Sequence, residues 1–496
     1  GIGFELKKLF HRKGLVAMVR AYGYAGVICT GPMLLGILLQ FGVLAVSGWW
    51  HVPRADQNLL VCMITYTLLA SLVLTSFLSM PVTRFLADML FEHHEETILP
   101  SFWGSTTLML AVGAVLYAVF LLFSGATLMQ GLLCLWLFLE MIVNWNAMSY
   151  LTAIKDYQGI MWSFVAAVVS VVSLVVAFLS ACAMMALGLP QVESLLAAVA
   201  FGYGVMMVWD VVLLHRYFPQ SSESPWTFLA WLDRFLPLAL TGLLTTLGLF
   251  SHLVITWCGP LGVHVKGLFY GAPYYDVPAL LAFLTILITT VNFVVSVEVN
   301  FYPKYRAYYA LLNDGGTVKD IVVAEREMLA VLNRELYYTA LKQLFVTAAV
   351  ISLEKMVLGV LPLGFNDGMH GYFRVLCVGY ALYAVGNTVL MILLYFTDYF
   401  GAVCCAAIFA GSATVLTVIS QFVPVTLMGF GFLLGASTFL LAAVVRLAVF
   451  TDNLPYRVLG AQPIVATEKR GWFTKLGEAL DEFGERLHGT FGRKES

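Results

Sequence analysis

Long apolar segments recur along most of the chain, and short polar stretches separate them. A helix needs about 20 mostly apolar residues to cross about 30 Å of hydrocarbon, because every backbone polar group must be bonded within the segment. The pattern therefore predicts an all-α, polytopic membrane protein with about twelve transmembrane helices. The predicted spans are roughly 21–49, 58–80, 100–123, 130–152, 161–187, 194–214, 236–257, 279–301, 338–362, 371–397, 400–422 and 426–450.

The hydrophilic stretch 215–226 divides the spans into two groups of six. Each group begins with a proline-bearing span, and its most charged loop follows its second span, at 81–100 and at 302–336. This arrangement predicts two six-helix lobes, residues 1–218 and 219–455, related in the parallel manner of some transporters.

Two helical features are predicted outside the membrane. Within 302–336, aromatic and apolar residues recur at helical spacing until NDGG breaks the helix, and Thr317 with Asp320 resembles a capping box that opens a second helix. A helical hairpin is expected there. The tail, 456–496, carries apolar residues at spacings of four, four, three and four. This spacing predicts an amphipathic helix that lies on the membrane surface or docks on a partner, with the membrane surface favoured.

Composition and charge fit a membrane protein of defined orientation. Hydrophobic residues make up 60% of the chain and charged residues only 11%, against about 25% charged residues in soluble domains. With both termini in the cytoplasm, all but four of the 27 Lys and Arg residues lie on the cytoplasmic side, as the positive-inside rule requires. The four exceptions are Arg54, Lys266, Lys355 and Arg374.

Motifs for enzymatic chemistry are absent from the sequence. It has no G-x-x-x-x-G-K-[ST] phosphate loop, no H-E-x-x-H, no paired C-x-x-C and no D-x-D of glycosyltransferases. Seven of the eight cysteines lie inside apolar spans, so no disulfide is expected. The acidic and histidine residues at 92–96 suit a solvated loop better than a metal site. We expect a protein that is not an enzyme, has no cofactor or metal, and binds no nucleic acid.

Polar residues at membrane depth are the candidates for function, because they are costly there. Trp136, Glu140 and Asn144 follow each other at helical spacing in the fourth span. An indole offers a flat face to a pyranose ring, while a carboxylate and an amide bond to sugar hydroxyls. The same residues would also serve as hydrogen bonds between helices. Both interpretations stay open.

Further candidates form three groups. Lone amides that could line the same path are Gln40, Asn292 and Gln421. The residues expected at the cytoplasmic mouth are Asp210, Glu298 and Asn300. The residues of the helical hairpin expected to dock a partner are Tyr305, Arg306, Tyr308 and Tyr309.

Several stretches resemble one family. GIGFELKKL, AYGYAGVICTGPMLL, FLADMLFEHHEETILP, FYGAPYYDVPALLAFLTI and EVNFYPKYRAYYALLNDGGT look like the PelG family of bacterial Pel exopolysaccharide systems. That family resembles the flippase branch of the multidrug/oligosaccharidyl-lipid/polysaccharide (MOP) superfamily. The resemblance covers the chain to about residue 455.

The resemblance implies an inner-membrane transporter with two lobes around a central cavity. Its partners would be a cytoplasmic glycosyltransferase (PelF-like) that makes an N-acetylhexosamine polymer from UDP-sugar, a cyclic-di-GMP receptor and a scaffold membrane protein, besides membrane lipid and the polysaccharide itself. The leading hypothesis is export of the nascent polymer. The alternatives are ion-coupled export of small cations and a membrane anchor for the synthase.

Overall fold

The structure is a computed structural model that is almost entirely helical where it describes the chain. It describes residues 37–38, 41–43, 45–360, 364–455 and 471–492, with the backbone alone for 152–168, 170–171, 288, 294–296, 298 and 492. The N-terminal half contains α1 (Arg54–Phe91), α2 (Ile98–Phe123), α3 (Leu128–Ala186) and α4 (Gln191–Tyr217).

A linker, residues 218–235, joins the two halves and contains a short helix, α5 (Leu229–Arg234), which leads into α6 (Leu236–Trp257). Two strands follow, β1 (Val263–Lys266) and β2 (Phe269–Gly271). The remaining elements are α7 (Pro273–Leu284), α8 (Leu287–Phe293), a π-helix (Val294–Phe301), α9 (Tyr302–Asn313), α10 (Val318–Val360), α11 (Asp367–Tyr395), α12 (Tyr399–Ser420), α13 (Phe430–Asp452) and α14 (Trp472–Gly492).

Ten helical segments of the described residues are long and apolar enough to cross a membrane. Each coincides with one predicted span. A shorter apolar stretch of α3, Val172–Ala186, covers part of the predicted fifth span. Most of the predicted first span, 21–49, lies outside the described residues. The all-α polytopic membrane fold is confirmed.

The fourth and fifth spans are not separated by a loop. α3 has 59 residues and continues through 153–160, the polar stretch expected to connect the two spans. That stretch contains one glycine and no proline, so nothing in it removes a backbone hydrogen bond. The prediction of a break there was wrong.

The described residues also include a β-hairpin that the apolar pattern did not predict. β1 and β2 pair antiparallel, with Val263 opposite Gly271 and His264 opposite Tyr270. The chain reverses at Gly267, whose φ of +56° favours glycine. This hairpin follows α6 directly, and we call its end of the bundle the β-hairpin end.

The helical hairpin lies at the opposite end of the membrane helices, which we call the helical-hairpin end. It consists of α9, a turn at 314–317 and the first turns of α10, which then continues as a membrane helix. Gly315 has a φ of +79°, and the Thr317 hydroxyl accepts a hydrogen bond of 3.3 Å from the Asp320 N–H. The turn and the cap therefore lie where the sequence motif indicates.

Two hydrophobic cores correspond to the two halves of the chain. One draws on residues between Val43 and Ala239, and the other on residues between Leu249 and Leu454. Residues of each half also enter the other core: Ala239 of α6 and Phe269 of β2 are buried in the N-terminal core, and Leu69 of α1 is buried in the C-terminal core. The halves thus interlock where α1 meets α6 and the β-hairpin.

α1 and α6 touch near both ends of the membrane, and we call this contact the α1–α6 seam. At the β-hairpin end, the ring of Tyr66 stacks on Trp257 with centroids 4.7 Å apart. Toward the other end, a Cβ at Gly242 would stand 2.8 Å from the Ser76 carbonyl oxygen. The backbones are therefore close enough to require glycine.

A polar cluster closes the helical-hairpin end of the seam. Arg84 of α1 donates to the Tyr399 hydroxyl of α12 at 3.3 Å and lies over the Phe235 ring at 5.1 Å. Asp88 accepts a 2.8 Å hydrogen bond from the Trp231 indole of the linker. This end of α1 therefore binds both the linker and α12 of the C-terminal half.

The tail helix α14 packs on the linker rather than standing apart from the chain. Asp233 accepts hydrogen bonds from the backbone N–H groups of Phe473 at 3.2 Å and Thr474 at 2.5 Å, and so caps the start of α14. Ser224 donates to the Asp481 carboxylate at 2.7 Å. These groups of the linker bond to donors that are otherwise unpaired at the helix start, and the expectation that α14 lies on the membrane surface stays a prediction.

Candidate functional site

A cavity of about 710 Å³ lies between α3 and α4 in the N-terminal half. Its volume is within the range of small-molecule sites, about 300–1,000 Å³. The expectation placed the cavity between the two lobes, whereas the cavity that holds the predicted residues lies within one of them. Its lining residues are Leu133, Trp136, Glu140, Ala197, Ala200, Phe201, Gly204, Val205, Met207, Val208, Trp209 and Val212.

Glu140 is the only charged residue of this lining. Its side chain is buried, with 4% exposed, and its Oε2 has no hydrogen-bond partner among the described residues. Its Oε1 lies 3.3 Å from the place of a Cβ at Gly204, so a glycine on α4 makes room for the carboxylate. A buried acceptor without a partner is costly unless a ligand supplies a donor.

Two indoles accompany the carboxylate. Trp136 precedes Glu140 by one turn of α3, lines the cavity and is 57% exposed. Trp209 comes from α4. Large flat aromatic faces bind apolar and cationic surfaces alike. The arrangement suits a ligand that offers a flat apolar face and at least one hydrogen-bond donor.

Asn144 does not line the cavity. It is buried, and its Nδ2 donates a 3.1 Å hydrogen bond to the Tyr203 carbonyl of α4, which joins the two helices behind Glu140. Asp210 is also buried, next to the lining residue Trp209, and its Oδ2 has no hydrogen-bond partner among the described residues. Trp136 and Glu140 are thus the two predicted site residues that the structure brings together.

The amides of the C-terminal half lie elsewhere. Asn292 of α8 is bonded to α10, with Nδ2 2.7 Å from the Thr339 hydroxyl and Oδ1 2.7 Å from Lys342 Nζ. Gln421 caps the end of α12, where its Nε2 donates to the Thr417 carbonyl at 3.1 Å. Asn292 thus connects two helices, Gln421 bonds to its own helix, and neither lines the α3–α4 cavity.

Of the mouth residues, Asn300 is exposed and donates to Glu335 of α10 at 3.1 Å. Gln40 and the side chain of Glu298 lie outside the described residues. The backbone at Glu298 belongs to the π-helix, a rare form that often occurs at functional positions of helices.

The tyrosines of the helical hairpin face the chain itself. Tyr305 donates to the Tyr395 carbonyl at 2.8 Å, and its ring lies 4.3 Å from that of Tyr309. Tyr308 is fully buried, and burial raises the pKa of its hydroxyl to about 12. Arg306 is exposed. Because a buried side chain cannot contact a docked protein, Tyr308 is removed from the expected docking surface, while Tyr305 and Tyr309 are half-buried and docking at this surface stays a prediction.

The lining residues of α4 were not among the sequence candidates. Phe201, Gly204, Val208 and Val212 recur at helical spacing, with Trp209 beside them. This is also the pattern of an ordinary lipid-facing or core helix. Gly204, opposite Glu140, is the one feature that distinguishes this lining from such a helix. Its position opposite Glu140 can be recognised only when it is known that α4 packs on α3. A metal site is not formed by the described residues, which contain no group of three or more His, Cys, Asp or Glu suited to one.

The sequence matches one protein-family model over residues 1–459, that of PelG, described as "exopolysaccharide Exporter (EPS-E)". No curated protein sequence is significantly similar to this chain. The match spans almost the whole chain.

Solved structures of similar fold are transporters. An outward-facing multidrug-resistance MATE transporter of the MOP superfamily is 14% identical with a TM-score of 0.55, over 88% of this chain and 97% of that chain. A MATE transporter in the straight conformation is 15% identical with a TM-score of 0.55, over 88% and 96%. A MOP superfamily transporter from Pyrococcus furiosus Vc1 (DSM3638) is 14% identical with a TM-score of 0.51, over 88% and 96%.

Identities this low show the fold alone, whereas the family match covers sequence and length together. The fold is similar to that of MOP-superfamily transporters of known structure, and the chain belongs to the PelG family of exopolysaccharide exporters.

Proposed function

We propose that this protein conducts a nascent N-acetylhexosamine polymer of the Pel type across the bacterial inner membrane, from a cytoplasmic synthase to the periplasm. The observation that carries the proposal is the pairing of Trp136 with Glu140, whose Oε2 has no partner among the described residues, inside the α3–α4 cavity. Both groups stand at membrane depth, where an unpaired polar atom is a functional candidate.

The chemistry of the cavity suits such a sugar. The C–H face of a pyranose ring packs on an indole, and the methyl of an N-acetyl group packs on apolar walls. The Glu140 carboxylate accepts a hydrogen bond from a hydroxyl or from the amide N–H of the sugar. A polymer passes through because each sugar makes few polar contacts, so that no unit is held tightly.

The distribution of charge supports the proposed orientation of the protein in the membrane. With the helical-hairpin end in the cytoplasm, Lys and Arg are concentrated on that side, as the positive-inside rule expects. Lys304 and Arg306 of α9 are exposed there. We propose that this basic face of the helical hairpin receives the synthase, a PelF-like glycosyltransferase, within an assembly that also holds a cyclic-di-GMP receptor and a scaffold protein. Chain growth at the cytoplasmic side then drives the polymer outward, to the periplasm.

Reversing the charge of Arg306 is expected to weaken synthase binding about tenfold, or ~1.4 kcal/mol. The reason is that Arg306→Glu places a like charge where an acidic partner surface is proposed. Affinity is measured with purified synthase and the detergent-solubilised protein. Arg486→Glu on α14 makes the same change at another exposed site and is expected to bind normally. Equal affinity of R306E and the unaltered protein would remove the helical hairpin from the docking site.

The transport function is tested by reconstitution. Vesicles that contain the protein receive the synthase and UDP-sugar on the outside and a polymer-degrading enzyme inside. We expect degradation products to accumulate in the lumen only when protein, synthase and UDP-sugar are all present. Polymer that stays wholly outside, with synthase activity intact, would refute conduction.

Ion-coupled export of small cations is the second candidate, because a lone carboxylate beside two indoles also fits an organic cation. Its signature is a proton or sodium flux across vesicles that depends on an added cationic drug. Such a flux without polymer entry would favour this function over the first.

A further inference from the structure

The β-hairpin connects the two halves of the chain at the β-hairpin end. It belongs to the C-terminal half by sequence, yet its contacts are with the N-terminal half. The Leu268 N–H donates to the Ser124 carbonyl at 3.1 Å, and Lys266 Nζ lies 3.4 Å from Gln130 Oε1. Phe269 is buried in the N-terminal core. The hairpin therefore covers the ends of α1, α2 and α3.

Tyr66 of α1 holds the second strand. Its hydroxyl accepts a 2.8 Å hydrogen bond from the Tyr270 N–H and donates one of 2.7 Å to the Tyr270 carbonyl. One side chain thus satisfies both backbone groups of a strand residue, as a neighbouring strand would. Its ring stacks on Trp257, nearly parallel at 10°.

Two glycines bring the backbones together at the tip of the hairpin. A Cβ at Gly267 would lie 2.0 Å from the Ser124 carbonyl oxygen and 3.2 Å from the Gly125 Cα. Neither side has a side chain that interlocks with the other. The contact at the tip is therefore between backbones, and the buried apolar surface of the hairpin lies at Phe269, which would have to leave the N-terminal core for the hairpin to move away.

The hairpin has little stability of its own. An isolated two-stranded sheet is marginal in water, and the strands have only four and three residues. Val263, Leu268 and Tyr270 are exposed. Its position therefore depends on Tyr66, on the N-terminal core around Phe269 and on the Ser124–Gly125 turn.

We propose that the β-hairpin, residues 263–271, is the gate at the exit end of the polymer path. In this structure the gate is closed, because the hairpin bridges the two halves. Opening requires Tyr66 to release Tyr270 and the tip to leave Ser124–Gly125. This proposal rests on the proposed function, which supplies the polymer and the direction of exit.

The chain provides one half of a disulfide test. Cys62 Sγ on α1 lies 3.1 Å from the place of a Cβ at Gly271. With an S–S bond of about 2.04 Å, the Sγ of one cysteine of a disulfide lies about 3 Å from the Cβ of the other, so the distance suits a disulfide. Gly271→Cys is made with Cys258→Ser, because Cys258 is an exposed cysteine at the same end. We expect oxidised G271C to lower polymer entry into vesicles at least tenfold, and a reductant to restore it.

The matched control is the same protein with Cys62→Ala, which cannot form the cross-link and is expected to keep its rate when oxidised. Complete cross-linking of G271C with an unchanged rate of polymer entry overturns the gate, because the hairpin then never needs to leave α1.

Labelling of Cys62 reports on the hairpin without transport. With Cys258→Ser present in every variant, a membrane-impermeant maleimide labels Cys62, which is 7% exposed, only when the hairpin moves. We expect Tyr66→Phe, which removes both hydrogen bonds and keeps the ring, to raise the labelling rate at least threefold. Tyr274→Phe alters an exposed tyrosine at the same end and is expected to leave the rate unchanged.

The two measurements separate the gate from the proposed function. Equal labelling of Cys62 in Y66F and the unaltered protein overturns the gate, whatever the transport result. Faster labelling in Y66F supports it even if the reconstituted protein moves no polymer, in which case the function fails and the mobile hairpin stands.

Discussion

Replacement of Glu140 by glutamine is expected to lower polymer export about tenfold or more at equal protein level. The carboxylate has one oxygen without a partner among the described residues and stands in an apolar cavity. A buried polar group that loses its hydrogen-bond partner costs about 1–3 kcal/mol, and each 1.4 kcal/mol is about tenfold. Glutamine keeps the shape but has one acceptor oxygen in place of two. The reconstituted assay with trapped degrading enzyme measures the effect.

Glu193→Gln is the matched control for E140Q. Glu193 lies on α4 outside the cavity lining and accepts a 3.3 Å hydrogen bond from Gln130, so the variant is expected to export normally. Trp136→Leu removes the other half of the pair and is expected to reduce export in the same assay. Normal export by both E140Q and W136L would exclude this cavity from the polymer path.

Replacement of Gly435 by isoleucine is expected to destabilise the C-terminal half more than any other single change discussed here. Gly431 and Gly435 face α12 across a close helix contact, and a Cβ at Gly435 would lie 2.6 Å from the Ala413 Cα. Small residues four apart let membrane helices approach this closely. Overpacking costs about 1–3 kcal/mol, sometimes more. The midpoint of thermal unfolding in detergent is expected to fall, or the protein to fail to accumulate.

Gly411→Ile provides the control on the neighbouring helix. Gly411 lies on α12 with open space where its Cβ would stand, so the same substitution is expected to leave the unfolding midpoint nearly unchanged. If G435I unfolds at the temperature of G411I, then α12 and α13 are not packed as described.

The membrane spans were predictable because burial in lipid requires long apolar segments, and the composition of each segment shows directly whether it is apolar enough. The β-hairpin was not predictable in the same way. Val263 and Val265 alternate with polar residues for only a few positions before Gly267, and such a short alternation is indistinguishable from a loop. Its strands exist because Tyr66 and Phe269 bind it to the other half.

The candidate site was predicted in part. Steps of four residues advance about 40° around a helix of 3.6 residues per turn. Over the two steps from Trp136 to Asn144 the direction therefore turns by about 80°, which carries Asn144 from the cavity to Tyr203. The sequence places Glu140 at membrane depth, but it contains no signal for which helix packs opposite, so Trp209 and Gly204 were missed.

The helical hairpin shows how an aromatic stripe is ambiguous. Helical spacing of Tyr305, Tyr308 and Tyr309 indicates one aromatic face, and such a face packs on the nearest apolar surface. Here the nearest surface is the end of α11, at Tyr395. The charged positions between the tyrosines are the ones left on the outside.

The α1–α6 seam restricts how the two halves move. Tyr66 against Trp257 at one end and Arg84 against Tyr399 at the other fix two points of one line. Rotation of the two halves about that line, as about a hinge, preserves both contacts. A tilt of one half against the other about an axis perpendicular to that line breaks at least one of the two contacts. A wide opening is therefore least costly on the side away from α1 and α6.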